Sequence, residues 1–481
     1  MSILVIDVGT SGLRAAVVRP DAAIDHVHHR ALPPSTPFAG LVEFDPQEMA
    51  TAVLDVARAA LATGDPVDAV GIANQRASTI VWDRSTGEPI GPGLGWQDLR
   101  TIGECLTLAA EHGLRLAPNQ TATKAAWLWD QVDADRARDL CVGTVDTWVA
   151  WVLSGGSVHV TDHTNAAVTG LYDVSAAAWS PSILELLRLP TGAMPVIVDS
   201  SGPIGTASAL AGSPPITGLV GDQQASLVGQ GCVRPGAVKA TFGTGGMLDQ
   251  CAGPEQPVDG ARSPGGTFPI VAWSRRGERT FGVEAVMLSA GTNIEWLRDD
   301  LGVIADAAES EAIAGACEDT DGVVYVPALL GLGTPLWDYG ARGALFGLTR
   351  GSGRPQIVRA VLEGVAQRGA DLLDAAEADT GLSVEELRVD GGMSANGVFV
   401  QALADATQRA VEVSPVTEAT TLGAAFLAGL ESGTWSGLDD VEATWKPARR
   451  VDPARVLDRD RWREAIERSG RWFPELSALD F

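Results

Sequence analysis

The stretch "ILVIDVGTSGLRAAVV", residues 3 to 18, carries one carboxylate, Asp7, inside an apolar run, with Gly9, Thr10, Ser11 and Gly12 directly after it. A carboxylate buried in a strand is costly unless a charge or hydrogen bonds compensate it. The turn after it offers several backbone N–H groups and hydroxyls close together, and successive amides in such a turn make an anion-binding nest. Glycine lets backbone approach a phosphate. Mg²⁺ on a bound polyphosphate, reached through water, is then a natural partner for Asp7. An ordinary hairpin is the plain alternative.

The same pattern returns in "AVKATFGTGGMLDQC", residues 237 to 251, with Gly243 and Thr244 in the turn. Facing each other across a cleft, two such turns would grip a polyphosphate. In "GDQQ", Asp222 and Gln223 lie on a polar turn between an apolar strand and a helix. Asp222 there suits the acceptance of a proton from a hydroxyl that attacks phosphorus, and equally a helix N-cap. Asn74, Gln75 and Arg76 end the buried strand 67–73, where polar residues line either a crevice or a surface turn. Trp96 in "WQDLR" would pack on the carbon atoms of a small polar substrate, or in the core like others of the fourteen tryptophans. "DGGMSAN", Asp390 to Asn396, has the form of a strand-to-helix turn where a purine or ribose would lie.

The elements that hold these residues alternate between strand and helix. "ILVIDVG" and "LRAAVVR" read as two strands around the turn "TSG", 47–62 as a helix, and "VDAVGIANQ" as a buried strand. "STIVWDRSTGEPIG" reads as a strand with a turn, and "TKAAWLWDQV" and "DTWVAWVLSGG" as apolar helices. Residues 190–216 are rich in Gly, Pro and Ser and read as loop. "ITGLVGDQQASLVGQG" reads as strand, polar turn and helix, "LRVDGGMSANGVFVQALADAT" as strand, turn and helix, and "TTLGAAFLAGL" as a small-residue helix. The tail from "TWKPARRVDP" reads as a polar helix and extension. The recurrence of strand, Gly/Thr turn and strand near the middle predicts two related α/β halves, 1–234 and 235–481, with a cleft between them.

At 481 residues the chain exceeds the size of a single core, so two or more domains are expected. A net charge of −26, from 35 Lys plus Arg against 61 Asp plus Glu, repels phosphodiester backbones and anionic lipid. It argues against nucleic-acid and membrane partners. Five scattered cysteines without a C-x-x-C pair read as reduced thiols in a cytoplasmic protein. No basic leader and no 18-residue apolar run are seen. "HVHH" puts His26 and His28 on one strand face, but no carboxylate or thiol stands beside them at ligand spacing, which favours a solvated strand over a metal site. Nothing fits the P-loop pattern, and no G-x-G-x-x-G follows a strand.

In these motifs the chain resembles the FGGY carbohydrate kinases, and their glycerol kinase branch above the others. The likeness runs from "IDVGTSGLRA" through "GIANQRASTIVWDRSTGEPI", "WQDLRT", "HVTDHTNAAVTGLYDV", "GDQQASLVGQ" and "FGTGG" to "GLGTPLWDYGARGALFGLTRG", "DGGMSAN" and "TEATTLGAAFLAGL". The second family signature fits over Gly343 to Glu363. The first, "NQTATKAAWLWDQ", fits around Thr121, Lys124 and Trp127 and departs at Asn119 and Ala125. The resemblance implies an α/β, two-domain, actin-like (ribonuclease H-like) ATPase fold with an interdomain active-site cleft. It implies transfer of the γ-phosphate of ATP, with Mg²⁺, to a hydroxyl of a small polyol or sugar. Asp222 matches the general base and Asp7 the carboxylate that helps hold the metal, which also neighbours Asp222. Thr10, Ser11 and Arg14 match the first phosphate-contacting turn, and Gly243 and Thr244 the second. Gly331, Gly392 and Asn396 match positions around the nucleotide. Arg76, Trp96, Asp222 and Gln223 match substrate contacts. A homodimer or homotetramer is the expectation for such kinases.

Three substrate positions depart from the glycerol kinase pattern. Ala77 stands where that branch has a substrate-binding glutamate, Asn119 where it has a tyrosine, and Met247 where it has a phenylalanine. A lost acceptor for a substrate hydroxyl costs about 1–3 kcal/mol, and the shorter side chain opens space. A four- or five-carbon polyol or ketose is therefore the alternative acceptor to glycerol. A non-catalytic actin-like module that binds nucleotide or polyol is the alternative of another class. The loop by which glycerol kinases bind a sugar bisphosphate regulator is not evident before "PPITG".

Overall fold

The computed structural model describes residues 1–62, 64 and 66–479. Among these, one sheet of thirteen strands dominates: β1 Ile3–Val8, β2 Gly12–Val18, β3 Ile24–Ala31, β4 Ala69–Asn74, β5 Ser201–Thr206, β6 Pro215–Gly221, β7 Val238–Phe242, β8 Gly246–Gly253, β9 Phe268–Arg275, β10 Glu278–Met287, β11 Glu386–Asp390, β12 Ala410–Val413 and β13 Arg449–Val451. Their spatial order is β13-β12-β11-β7-β8-β10-β9-β5-β6-β4-β1-β2-β3.

Two arrays of one plan lie within that order, β3-β2-β1-β4-β6 and β10-β8-β7-β11-β12. In each, a hairpin is extended by an antiparallel strand on one side. On the other side run two strands parallel to the hairpin's first strand. Strands buried on both faces need a continuous apolar run rather than alternation, which is how "ILVIDV", "AVGIAN" and "ITGLVG" read. The arrays are joined through β5, which pairs with β6 and meets β9 at a single register pair, Ser201 opposite Arg275. Beside it the Ser200 N–H donates to Ser274 Oγ and the Ser274 N–H to Ser200 Oγ, both at 3.0 Å.

Helices cover the sheet. They include α1 Pro46–Leu61, α2 Thr121–Val132, α3 Asp222–Gly229, α4 Arg354–Thr380, α5 Gly397–Thr407 and α6 Ala419–Ser432. Asp45 caps α1 through the N–H groups of Gln47 and Glu48, with Pro46 in the first turn. Gly433, at φ +81°, ends α6 in the left-handed conformation that glycine adopts freely. The helices α3 and α6 touch backbone to backbone. A Cβ on Gly229 would lie 1.9 Å from the Ala419 carbonyl oxygen, and one on Gly423 1.8 Å from that of Ala225. An apolar core lies around this crossing and draws on both arrays, with Ile3, Val5 and Val220 from one and Cys251 from the other.

Two local expectations change. Residues 190–216 hold β5 and a short strand, Val196–Val198, rather than loop alone. A six-residue strand with two glycines and a proline has little apolar signature; its partner β6 supplies the hydrogen bonds, through a register shift between Ser201 and Gly205. In β3, His26 sits at φ +53° beside a register shift, so it leaves the strict alternation that would align it with His28. Among the described residues no helix is long and apolar enough to cross a membrane.

Candidate active site

Asp7 and Asp222 stand at the carboxyl ends of β1 and β6, with β4 between them. Asp7 is in register with Ala73, and both Val8 and Gly221 with Asn74. Two strand spacings make about 10 Å. The strand β6 runs into α3 with no residue between, so Asp222 is the first residue of the helix rather than part of a separate turn, and Gly221 holds the N-cap position. Asp222 Oδ1 accepts the Gln223 N–H at 2.8 Å, and the Arg76 Nε stands 3.5 Å from it.

The Asp7 carboxyl is buried, with Arg14 Nε at 3.6 Å, and Arg14 also pairs with Glu418, the residue before α6. Burial raises the Asp7 pKa to about 6; Arg14 opposes that shift and the Asp222 charge adds to it. Burial also raises the pKa of Asp222, against the pull of Arg76.

The first turn is closed by the Gly9 N–H on the Gly12 carbonyl at 2.9 Å. Gln75 Nε2 donates to the Gly9 carbonyl at 3.2 Å and Trp96 Nε1 to Thr10 Oγ1 at 3.1 Å, while Ser11 is exposed. The second turn occupies the equivalent place in the second array. Its Gly243 and Thr244 carbonyls accept the N–H groups of Gly291 at 2.8 Å and Ala290 at 2.9 Å. Gly331, at φ +89°, lies on a segment tied to β10 by the Thr334 N–H on the Val286 carbonyl. Gly392 opens a short turn after β11, next to Gly391, whose Cβ would lie 2.5 Å from the Phe242 carbonyl oxygen. The two segments thus flank the second turn from β10 and from β11. Asn396 caps α5: its Oδ1 accepts the Phe399 N–H and its Nδ2 donates to Ser310 Oγ, both at 3.0 Å.

On the substrate side Arg76 Nη2 donates to Glu284 Oε2 at 2.7 Å. Ala77 is buried at φ +60°, its carbonyl taking the hydroxyls of Thr79 at 3.3 Å and Thr121 at 3.2 Å. Trp96 is 39% exposed, its backbone N–H held by Ser78 Oγ at 3.0 Å. Asn119 is exposed, and its carbonyl accepts Lys124 Nζ at 3.1 Å. Met247 lies half-buried on β8, opposite Thr241 on β7 and Val286 on β10.

Three charged residues at this site, Lys239, Asp249 and Glu284, have no role in the sequence motifs, and Lys124 enters them only as a position of the family signature. Lys239, Asp249 and Glu284 are in register across β7, β8 and β10 and so project from one face. Lys239 Nζ meets Asp249 Oδ2 at 2.7 Å with both side chains fully buried, and donates to Gln223 Oε1 at 2.7 Å. Burial works against the Lys239 charge, but Asp249 and then Asp390 hold its pKa above the usual lysine value. Burial raises Glu284 to about 7, with Arg76 opposing. Lys124 is buried, donates also to the Gly95 carbonyl at 3.0 Å, and is pushed by burial down to about 7. The signal was available: each is a lone charge in an apolar stretch, the criterion that singles out Asp7.

Comparison with known proteins agrees with this fold. The family models of the FGGY family of carbohydrate kinases match residues 2–229 with the N-terminal domain and 238–432 with the C-terminal domain. A glycerol kinase of Aromatoleum aromaticum is 41% identical over 494 residues, covering 98% of this chain and 99% of that protein. One of Methylobacterium nodulans is 43% identical over 491 residues, covering 96% and 97%. Among solved structures, glycerol kinase of Plasmodium falciparum with ADP superposes with a TM-score of 0.91 at 28% identity, covering 97% of this chain and 98% of that one. A xylulose kinase of Brucella ovis gives 0.88 at 26% identity, with both chains fully covered. The chain belongs to the FGGY family of carbohydrate kinases, ATP-dependent enzymes that phosphorylate a small polyol or sugar.

Proposed function

We propose that this kinase transfers the γ-phosphate of ATP to a hydroxyl of a small polyol, with Asp222 as general base and Asp7 as the carboxylate that holds Mg²⁺. The observation that carries this reading is the pair itself: two carboxyls, Asp7 buried and Asp222 half-buried, at the ends of parallel strands with one strand between them, each with its pKa raised by burial. Asp7 suits a cation. No described residue gives its carboxyl a hydrogen bond, and its one ion-pair partner among the described residues, Arg14, is shared with Glu418. When bound, the metal would neutralise charge on the triphosphate.

The chain's own residues supply positioning. Thr10, Ser11 and Arg14 on one lip and Gly243 and Thr244 on the other would hold phosphate oxygens. Gly331, Gly392 and Asn396 would border the nucleoside, Asn396 through its place in the cap more than through its amide. Arg76, Trp96, Gln223 and Met247 would hold the acceptor, whose hydroxyl proton passes to Asp222. On this reading the first half, to about residue 234, carries the base and metal residues and most acceptor contacts, and the second half carries the nucleotide. A cytoplasmic setting fits five free cysteines, four of them buried.

The acceptor is glycerol on the strength of the relatives' names. A second reading, a four- or five-carbon polyol or ketose, is favoured by Ala77, whose methyl offers no acceptor at a buried position. ATP-dependent turnover over glycerol, erythritol, threitol, arabitol, ribitol, xylitol and xylulose, compared as kcat/KM, decides between them. No stimulation of ADP release by any of these compounds overturns the proposal.

A further inference from the structure

We propose that the buried Lys239–Asp249 pair is a positioning device. It locks the Gln223 side-chain amide with its NH₂ group toward the acceptor, so that the substrate must present a hydrogen-bond acceptor there. This rests on the reading of Gln223 as an acceptor contact.

Lys239 Nζ reaches Gln223 Oε1 at 2.7 Å, Asp249 Oδ2 at 2.7 Å and Thr241 Oγ1 at 3.3 Å. An ammonium has three donors and no lone pair. The amide oxygen of Gln223, never its nitrogen, must therefore face Lys239. The nitrogen then turns away, and no described protein group accepts from it. Gln223 is only half-buried, and its nitrogen is not among the enclosed, unpaired polar atoms of the structure. Its backbone N–H is held by Asp222 Oδ1 at 2.8 Å, so the residue is pinned at both ends beside the base.

An unlocked glutamine flips to offer donor or acceptor as the ligand requires. A locked one discriminates. A hydroxyl oxygen or a ketose carbonyl satisfies the NH₂ group, whereas an analogue with hydrogen at that carbon leaves it unpaired. The buried ion pair is poorly explained by stability alone, because replacing both partners of such a pair by apolar residues is often neutral.

The test uses the full chain with ATP and the best acceptor of the panel. Lys239→Met combined with Asp249→Leu removes both charges of the pair together. The acceptor KM should rise about tenfold, with kcat within about threefold and the ATP KM unchanged. Deoxy analogues should be rejected less strongly than by the parent. Gln223→Glu should lose as much, since a carboxylate on Lys239 has no proton to donate. In a Gln223→Met background the paired substitution should add less than about twofold, because the group it acts through is gone. A parental KM in the paired variant, or the full penalty persisting in the Gln223→Met background, overturns the proposal. If the paired variant fails to fold, a parental KM in Gln223→Glu overturns it instead. A parental KM in Gln223→Met refutes the acceptor reading itself, a separable result.

Discussion

The crossing of α3 and α6 makes a demanding prediction, because it lies away from the chemistry yet carries the base. A Cβ added at Gly423 meets the Ala225 carbonyl oxygen at 1.8 Å, against 3.4 Å for ordinary contact, so the helices must part by about 1.6 Å. Helix α6 has nowhere to retreat. It lies on β4, where a Cβ on Gly71 would stand 2.5 Å from the Ala424 carbonyl oxygen, and on β6, where one on Gly218 would stand 2.8 Å from the Ala428 nitrogen. The displacement therefore falls on α3, whose first residue is Asp222. Overpacking of this kind costs about 1–3 kcal/mol, and a shift of about 1 Å in a reacting group costs about a hundredfold in rate. Gly423→Ala should fold with a lowered Tm and turn over about a hundredfold more slowly. Gly437→Ala, with open space around it, should match the parent and serves as control. Coupled ADP release and thermal melts measure both. A folded Gly423→Ala protein with parental kcat would falsify the claim that this contact sets the base.

Asp222→Asn should cut turnover by about a thousandfold while calorimetry finds ATP binding little changed; normal turnover would exclude Asp222 as the base. Asp7 has its pKa raised from 3.8 to about 6, so in the ligand-free protein its ionised form costs about 3 kcal/mol, a penalty full above pH 6 that fades as pH falls toward 4. Asp7→Asn should be more stable than the parent to denaturant at about pH 7.5 and lose most of that margin by about pH 4.5; equal margins at both would refute the assignment. Lys124 is pushed from 10.5 to about 7, so between those values the unfolded chain holds a proton the folded one lacks, and stability rises with pH there. Lys124→Met should flatten that rise and, by freeing Gly95 and Asn119, raise the acceptor KM; an unchanged slope would count against it. Ala77→Glu should shift relative kcat/KM toward glycerol by about tenfold, and a parental ratio across the polyol panel would mean that position 77 does not set acceptor size.

The fold and half of the site were legible in the linear chain, for a physical reason. Strands buried on both faces must be apolar throughout, so Asp7 stands out in β1, and the Gly/Thr turns are conspicuous because few residues tolerate such close backbone. The two arrays share one plan, and their hairpins look alike in the sequence. Glu284 was harder: it sits in an apolar strand as Asp7 does, but its meaning depends on Arg76, 208 residues earlier in the chain. The register that aligns Lys239, Asp249 and Glu284 exists only once β7, β8 and β10 are paired. The strand β5 was hidden because its glycines and proline read as loop, and only β6 makes it a strand. Asn396 enters the sequence reading as a position around the nucleotide, and its part as a helix cap shows only once the start of α5 is known.

The seam between the two arrays is narrow. Within the sheet one register pair, one serine exchange and one glycine-floored helix crossing hold it, and the Arg76–Glu284 and Lys239–Gln223 hydrogen bonds span it at the site. With so few pins in the sheet itself, a swing of one array on the other would break the two bonds that span the site. The lips that would carry the nucleotide and the acceptor then stand on opposite sides of that join, as the two jaws of a clamp do. Whatever factor a nucleotide adds to the grip on the acceptor, the acceptor must return to the nucleotide in equal measure.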